Sequence, residues 1–279
     1  MEKLYGVIGD PISQSMSPSM HNAAFSNLGL TAKYMAFHVT PDRLPAAIEG
    51  IRGLGIAGLN VTIPHKVSIM TLLDEIDPLA KKIGAVNTIV NEFGKLIGYN
   101  TDGAGYVTSL KEAIPKKRIQ DQSILLIGAG GAARAIYFTL IDEGVEKVDI
   151  ANRTKETARQ LIHSRNSSSS LAMDLSEAES VVDSYDIIIN TTSIGMYPSL
   201  DHTPIHLGHI KENTIVSDII YNPIETKWLR VAKSFGAKTL NGVDMFVFQG
   251  ALSFEKWTGI YPNIDVMRNV VLNKLGGVN

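Results

Sequence analysis

The segment spanning residues 124–153 constrains the fold of this chain more than any other, because it predicts a strand, a glycine turn, a helix and a second strand in succession. The first apolar run ends at Gly128, and Gly130 and Gly131 follow before apolar residues at helical spacing. Glycines at this place let a backbone pass close to a pyrophosphate at a helix N-terminus. The segment therefore predicts a Rossmann-type unit that binds a dinucleotide, although an ordinary turn between a strand and a helix also uses glycine.

The residues after the second strand favour NADP over NAD. A site for NAD has an acidic residue about 20 residues past the glycines, where its carboxylate binds the ribose 2′-hydroxyl. This chain has Asn152 and Arg153 at that place. A carboxylate would repel a 2′-phosphate, whereas a guanidinium pairs with it. The expected cofactor is therefore NADP.

Composition excludes several classes of protein. At 279 residues the chain is near the upper limit for a single core, which favours two domains. A net charge of −2 argues against binding to nucleic acid, and the lack of cysteine excludes disulfides, thiolate metal sites and cysteine nucleophiles. Neither a signal peptide nor an apolar run of ~18 residues is present, so we expect no membrane contact. The class that remains is a cytoplasmic enzyme, monomeric or homodimeric, that acts on a small molecule.

Outside the glycine-turn unit, strand-like and helix-like patterns alternate as in an α/β protein. We expect helices over residues 44–54 and 72–83, and a helix that begins at Pro18 with Ser17 as its N-cap. A terminal helical pair is predicted over residues 245–275, and we expect it to return to the N-terminal domain. Four residues share one face of its first helix: Phe246, Gln249, Gly250 and Ser253.

Two serines precede the first predicted helix. In an extended segment Ser15 and Ser17 point the same way, beside the free N–H groups of the helix N-terminus. Two hydroxyls in that position suit a carboxylate ligand. The alternative is that Ser17 only caps the helix.

Further polar residues follow predicted strands. Asn60 and Thr62 alternate out of an apolar strand, and Lys66 comes after the proline that ends it. Asn100 and Asp102 fit an Asx turn, but Asp102 would also orient a lysine placed near it. A lysine acts as an acid or base only when its pKa falls toward neutrality, whereas a neighbouring carboxylate raises the pKa of the lysine. A solvated surface lysine is the alternative for Lys66.

Taken together, these motifs resemble the shikimate dehydrogenase family, and the resemblance spans essentially the whole chain. Each motif is weak alone, but their number and order are specific. The resemblance is carried by residues 15–18 with His21 and Asn22, 60–66, 84–88, 100–103, 128–132, 152–154 and Gln249.

The resemblance implies an α/β fold with two domains and a site in the cleft between them. A substrate-binding domain would comprise residues 1–103 and be completed by the C-terminal helices, residues 243–279. A Rossmann-type NADP-binding domain would comprise residues 104–242. The implied reaction is the reversible, NADPH-dependent reduction of 3-dehydroshikimate to shikimate, a step in aromatic amino-acid (chorismate) biosynthesis.

The resemblance also implies roles for individual residues. Lys66 and Asp102 would be the catalytic pair, and Ser15 and Ser17 would bind the substrate carboxylate. The ring hydroxyls would be bound by Asn60, Thr62, Asn87, Asp102 and Gln249, with Tyr221 nearby. The cofactor would be bound by Gly128, Ala129, Gly130, Gly131, Ala132, Asn152, Arg153, Thr154, Lys155, Thr191, Ile219 and Gly242. No metal is expected.

The chain departs from the family pattern at the expected 2′-phosphate site. Many NADP-using relatives place a second arginine a few residues after the first, where this chain has residues 155–157. Lys155 would be a point charge there without the bidentate geometry of arginine. Two alternatives stay open, a quinate/shikimate dehydrogenase of broader specificity and a catalytically silent NADP-binding sensor. Whether the site also accepts quinate depends on the region of Ser15 and Ser17. The sensor would be favoured if Lys66 or Asp102 were missing.

Overall fold

The structure, a computed structural model, describes residues 2–114, 118–165, 169–208 and 210–276. The chain divides into two compact units. The first comprises Met1–Gly105 together with Val247–Asn279, and the second comprises Tyr106–Phe246. The domain boundaries expected after residues 103 and 242 lie a few residues before these divisions.

Strands and helices alternate along both units. The strands are β1 (Lys3–Gly9), β2 (Ala32–His38), β3 (Gly58–Val61), β4 (Glu75–Ile76), β5 (Thr88–Glu92), β6 (Lys95–Tyr99), β7 (Ser123–Ile127), β8 (Lys147–Ala151), β9 (Ala172–Met173), β10 (Ile187–Asn190), β11 (Ile215–Asp218) and β12 (Lys238–Leu240). The α-helices are α1 (Ser17–Asn27), α2 (Leu44–Leu54), α3 (Pro78–Ile83), α4 (Asp102–Ala113), α5 (Gly131–Asp142), α6 (Lys155–His163), α7 (Leu175–Glu179), α8 (Lys227–Ser234), α9 (Val243–Thr258) and α10 (Ile264–Lys274).

The sheet of the first unit is mixed. Its strand order is β2-β1-β3-β5-β6-β4, and β1 pairs in parallel with β2 and β3. The hairpin of β5 and β6 adds antiparallel pairs beside β3. One end of the sheet therefore holds the carboxyl ends of β3 and β6 and the start of β5. The polar residues of this unit follow these strand ends.

The sheet of the second unit is parallel throughout its described pairs. Its order is β12-β11-β10-β7-β8-β9, so the chain runs outward from β7 in one direction and from β10 in the other. This is the doubly wound order of a dinucleotide-binding fold, in which ligands bind outside the carboxyl ends of the strands where the order reverses. The predicted Rossmann-type unit is confirmed as β7-α5-β8.

From Val247 onward the terminal helices belong to the first unit, as expected from the sequence. Helix α10 packs against α1, and the Trp257 indole of α9 donates to the Ile89 carbonyl of β5 over 2.9 Å. His21 of α1 stacks on Tyr34, with ring centroids 4.5 Å apart, and on Phe254 of α9. Burial lowers the pKa of His21 to about 3, so its ring is neutral at physiological pH and acts as a core side chain.

Capping residues mark where helices begin and end. They explain one helix that was predicted correctly and two predictions that were wrong. Helix α2 spans 44–54 as predicted, with a buried stripe of apolar residues and Gly55 in the left-handed region as its C-cap. The helix expected over 72–83 is wrong in its first half, because Asp77 caps a helix that starts only at Pro78. Two of the residues expected in the helix, Glu75 and Ile76, form β4 instead. Ser17 is not an N-cap either, since α1 already begins at Ser17 and Met16 is the N-cap.

No helix in the described part of the chain combines the length and the apolar character needed to span a membrane.

Candidate functional site

The glycine turn of the second unit occupies the point where the strand order reverses. Gly128 follows β7 with a φ of +107°, a conformation that side chains rarely allow. A Cβ on Gly128 would also lie 2.6 Å from Oγ1 of Thr191, which follows the adjacent strand β10. The Thr191 hydroxyl in turn donates to the Ile127 carbonyl over 2.6 Å. Backbone conformation and packing therefore both require glycine here.

Helix α5 begins directly after this turn and presents free backbone donors. Gly130 is its N-cap, and no side chain caps the helix. The first N–H groups of an α-helix have no partner within the helix, so those of Gly131 and Ala132 are available to a ligand. A Cβ at Gly130 or Gly131 would meet nothing within 4 Å, which shows open space beside these donors. Backbone donors with room beside them fit the pyrophosphate of a dinucleotide.

Three candidates for the 2′-phosphate site follow β8 and differ in the groups that they contact. The Asn152 amide donates to the Thr154 carbonyl over 2.9 Å and shapes the turn into α6. Arg153 is exposed, and within the described part of the chain its guanidinium forms no hydrogen bond or ion pair. Lys155 Nζ instead lies 2.6 Å from both carboxylate oxygens of Glu177. Arg153 is therefore available to a 2′-phosphate, whereas Lys155 is already paired.

The remaining cofactor candidates lie in loops after β11 and β12. Ile219 and Gly242 approach each other closely, because the Gly242 N–H donates to the Ile220 carbonyl and a Cβ on Gly242 would collide with the Ile219 carbonyl. Tyr221 lies in the same unit and packs against Phe246 with ring centroids 4.9 Å apart. Burial raises the pKa of the Tyr221 phenol.

In the first unit, the structure brings Lys66 and Asp102 together. Lys66 follows the end of β3, and Asp102 is the first residue of α4. Lys66 Nζ lies 2.6 Å from Asp102 Oδ2, and the two side chains are 28% and 10% exposed. The Asp102 N–H also donates to Asn100 Oδ1 over 3.1 Å, so the Asx turn is present as well. An ammonium held by a mostly buried carboxylate can donate a proton to a ligand that reaches it.

Asn87 and Gln249 lie beside this pair. Asn87 Nδ2 donates to Asp102 Oδ1 over 2.9 Å, while Asn87 Oδ1 accepts the Thr101 N–H over 2.8 Å. The Gln249 side chain of α9 places Oε1 3.5 Å from the Asn87 amide. Amides, a carboxylate and an ammonium therefore converge, and such groups suit a ligand rich in hydroxyls.

Asn60 and Thr62 are more closely involved in the protein's own packing. Asn60 Oδ1 accepts the Tyr34 hydroxyl over 2.7 Å, and Asn60 Nδ2 donates to Ser253 Oγ over 3.0 Å and to the Asn87 carbonyl over 3.1 Å. This amide has partners on both sides within the protein. Thr62 is half-buried, and its methyl group closely approaches Gly9.

The serine pair differs from the extended arrangement expected from the sequence. Ser15 precedes α1, whereas Ser17 is its first residue and is buried. The Ser15 hydroxyl accepts the Ser17 N–H over 3.3 Å. The expected alternation of an extended segment is wrong here, because the helix begins one residue earlier than predicted. Both serines nevertheless remain beside the N-terminus of an 11-residue helix.

The sequence did not identify several hydroxyl groups that join these side chains. Buried between β5, α4 and α9 are Thr88, Thr101 and Ser253. Thr88 and Thr101 lie in segments that carry the family resemblance, and the other signal was the spacing of Gln249 and Ser253, which places both on one face of α9. It gave no indication of which residues would meet that face.

Asp218, at the end of β11, was not among the site residues predicted from the sequence. Its carboxylate accepts from the Ile220 N–H, from Asn190 Nδ2 and from the Thr226 hydroxyl at 3.0 to 3.2 Å. Burial outweighs these hydrogen bonds and raises the pKa of the Asp218 carboxyl to about 6. A raised pKa favours the folded state at low pH, and this contribution to the free energy of unfolding is lost as the pH rises through about 6.

Replacing Asp218 with asparagine is expected to remove this pH dependence. The free energy of unfolding of the variant relative to the wild type should increase by about 2 kcal/mol between pH 4.5 and pH 7.5. Urea unfolding of both proteins at the two pH values measures the change. An equal difference at both pH values would show that Asp218 does not titrate in this range.

Comparisons with known proteins identify the family of this chain. Three family models match the chain, the shikimate dehydrogenase substrate binding domain over residues 7–89, shikimate / quinate 5-dehydrogenase over 110–203 and the shikimate 5′-dehydrogenase C-terminal domain over 242–272. A shikimate dehydrogenase (NADP(+)) of Geobacillus sp. (strain WCH70) is 58% identical over 99% of this chain and 100% of that protein.

Solved structures of shikimate dehydrogenases are also similar to this chain over nearly its whole length. A shikimate dehydrogenase in complex with NADP+ has a TM-score of 0.90 and 46% identity, covering 98% of this chain and 96% of that one. The shikimate 5-dehydrogenase of Thermus thermophilus, in complex with NADP(H) and shikimate, has a TM-score of 0.88 and 32% identity, covering 97% and 99%. The expected α/β fold and the family resemblance are confirmed, and the chain belongs to the shikimate dehydrogenase family.

Proposed function

We propose that this protein is an NADP-dependent shikimate dehydrogenase, an oxidoreductase that interconverts 3-dehydroshikimate and shikimate. The observation that carries the proposal is the contact of Lys66 Nζ with Asp102 Oδ2 at 2.6 Å, beside the amides of Asn87 and Gln249. The full-length similarity to named shikimate dehydrogenases supports the same substrate and cofactor.

The chemical step needs a hydride and a proton. NADPH, when bound, supplies the hydride to the C3 carbonyl carbon of 3-dehydroshikimate. Lys66 gives the proton to the carbonyl oxygen as it becomes a hydroxyl, and its charge stabilises the oxygen before the proton arrives. Asp102 holds the Lys66 ammonium in place through Oδ2. The reverse reaction returns the proton to the Lys66 amine.

The substrate would be bound at two ends. Ser15 and Ser17, at the N-terminus of α1, would take the carboxylate, since hydroxyls and free helix N–H groups favour an anion. Asn87, Asp102 and Gln249 would take ring hydroxyls. Thr62 and Asn60 were predicted to do the same, and the engagement of Asn60 inside the protein favours a supporting role for it. Tyr221, a residue of the second unit, was also predicted to bind the substrate.

The cofactor would be held by the second unit. The backbone of residues 128–132, with Thr191, Ile219 and Gly242 nearby, would hold the pyrophosphate and the nicotinamide half. Arg153, with Asn152 and Thr154, would bind the 2′-phosphate. The free guanidinium of Arg153 supports NADP as the preferred cofactor.

Wider assignments follow from the same proposal. A shikimate dehydrogenase would act in aromatic amino-acid biosynthesis, which is the role we infer for this protein. The cytoplasmic location, and a monomeric or homodimeric state, stay predictions from the sequence.

An assay of four substrate and cofactor pairs tests the proposal. Shikimate and quinate are each offered with NADP+ and with NAD+, and the absorbance of the reduced nicotinamide is followed. Shikimate with NADP+ is expected to give a kcat/KM at least about tenfold above every other pair. Comparable turnover of quinate or with NAD+ would assign the broader quinate/shikimate activity instead. NADP binding without turnover of any pair would contradict an enzymatic function and favour the sensor.

A further inference from the structure

Three buried hydroxyl groups form a cluster next to the Lys66–Asp102 pair. Thr88 of β5, Thr101 before α4 and Ser253 of α9 are each at most 2% exposed, and we call them the hydroxyl cluster. Thr88 Oγ1 and Ser253 Oγ lie 2.7 Å apart, and Thr101 Oγ1 lies 3.2 Å from Ser253 Oγ. The cluster therefore joins three segments that are distant in sequence.

Thr101 determines how the Asn87 amide is oriented. Its backbone N–H donates to Asn87 Oδ1 over 2.8 Å, and its hydroxyl accepts from Asn87 Nδ2 over 2.9 Å. An amide nitrogen carries two hydrogens, so the second is left for Asp102 Oδ1, also at 2.9 Å. Both ends of the amide are fixed, and Asn87 donates to the Asp102 carboxylate in one defined direction.

Thr101 also fixes the position of Gln249. The Thr101 hydroxyl donates to the main-chain carbonyl of Gln249 over 3.0 Å, and Ser253 donates to the same oxygen over 2.9 Å. The bond from Ser253 lies within α9 and is common in helices, whereas the bond from Thr101 comes from another segment. Thr101 thereby anchors α9 at the residue whose side chain faces Asn87.

Close packing around Gln249 restricts the geometry of the hydrogen bond from Thr101. A Cβ on Gly105, one turn further along α4, would lie 2.5 Å from the backbone nitrogen of Gln249. The two helices therefore touch backbone to backbone at Gln249. Losing the Thr101 hydroxyl removes one of the two side-chain donors to the Gln249 carbonyl, and it also leaves a hydrogen of the buried Asn87 amide without its acceptor.

From these contacts we propose that Thr101 is a positioning residue for the reaction. It acts through Asn87 on the Asp102 carboxylate and through the Gln249 carbonyl on the Gln249 side chain, with Ser253 supporting the same carbonyl. The proposal rests on the proposed function, since Asp102 and Gln249 matter only if they meet a substrate. A purely structural role for the cluster is the competing explanation, and the two differ in what happens to substrate binding.

The test compares two substitutions at the same position. Thr101→Val keeps the shape and removes the hydroxyl, whereas Thr101→Ser keeps the hydroxyl. Thr101→Val is expected to lower kcat/KM for shikimate by about ten- to a hundredfold, with KM for shikimate raised at least about threefold. Thr101→Ser should stay within about threefold of the wild type. The Kd for NADP+, measured by titration calorimetry, should be unchanged in both.

Partial unfolding would give a different pattern. A smaller folded fraction lowers kcat and leaves KM for shikimate unchanged, because the remaining molecules bind normally. That result overturns the proposal, as does a Thr101→Ser variant as impaired as Thr101→Val, or a Thr101→Val variant with wild-type activity.

A double-mutant cycle with Asn87→Ala tests the proposed route. If Thr101 acts in part through Asn87, the loss of kcat/KM caused by Thr101→Val should be at least about threefold smaller in that background than in the wild type, and the part that acts through the Gln249 carbonyl should remain. Full additivity of the two losses overturns the route. If Thr101→Val does not yield folded protein, Ser253→Ala takes its place with the same expected rise in KM, and an unchanged KM overturns the proposal. Lack of turnover by the wild type would contradict the proposed function itself, which separates the two failures.

Discussion

Replacing Lys66 with methionine is expected to lower kcat for shikimate oxidation by about 10²- to 10⁴-fold, the range for losing a general acid or base. Methionine keeps the length of the side chain and removes the ammonium that lies 2.6 Å from Asp102. The Kd for shikimate should change by less than about threefold, because the proposed contacts of the substrate with Ser15, Asn87 and Gln249 do not involve Lys66. Steady-state kinetics and calorimetric binding of shikimate measure the two quantities.

The matched control is Lys81→Met, which removes an exposed lysine of α3 in the same unit. This variant should have the activity of the wild type, so that a general effect of charge is separated from the loss of the proton donor. A Lys66→Met variant with a kcat within about threefold of the wild type would show that another group supplies the proton.

Replacing Arg153 with serine is expected to raise the Kd for NADP+ by about ten- to a hundredfold, because the proposed hydrogen-bonded ion pair with the 2′-phosphate would be lost. The Kd for NAD+ should stay within about twofold, since NAD+ lacks that phosphate. Lys155→Ala should have a much smaller effect on NADP+, because Glu177 already holds the Lys155 ammonium at 2.6 Å. Calorimetric titration of both cofactors against the three proteins measures these constants.

Arg159→Ser serves as the control for charge. Arg159 is an exposed arginine of α6 that pairs with Glu156 over 3.3 Å. Its loss removes the same charge from the same region of the second unit and should change the Kd for NADP+ by less than about threefold. Equal losses for Arg153→Ser and Arg159→Ser, or equal losses for both cofactors, would contradict a specific role of Arg153.

Most of the fold followed from local signals in the sequence. The glycine turn predicted the β7-α5-β8 unit, because the positive φ of Gly128 and the close approach of Thr191 require glycine between the strand and the helix. The periodic stripe of α2 gave its bounds correctly. The predicted helix over 72–83 failed, since the N-cap Asp77 and Pro78 set a later start than the apolar pattern indicated.

The candidate site was predictable only in part. Their places after predicted strands made Lys66 and Asp102 candidates, but only the family resemblance implied that they act as a pair. The sheet topology explains why these strand ends meet. The hydroxyl cluster was not predictable, since Thr88, Thr101 and Ser253 come from segments that are adjacent only in the folded chain. The ion pair of Lys155 with Glu177 was missed for the same reason, because it joins the start of α6 to α7. Tertiary contacts of this kind leave no periodic trace in a sequence.

The transfer of deuterium from cofactor to product tests the central claim most directly. The protein is incubated with 3-dehydroshikimate and NADPH that carries deuterium at both C4 positions of the nicotinamide. The proposed reaction predicts shikimate with a single deuterium, bound to C3, by mass spectrometry and proton NMR. Shikimate without deuterium, deuterium at another carbon, or no shikimate at all would contradict the direct hydride transfer to the C3 carbonyl on which the proposed function rests.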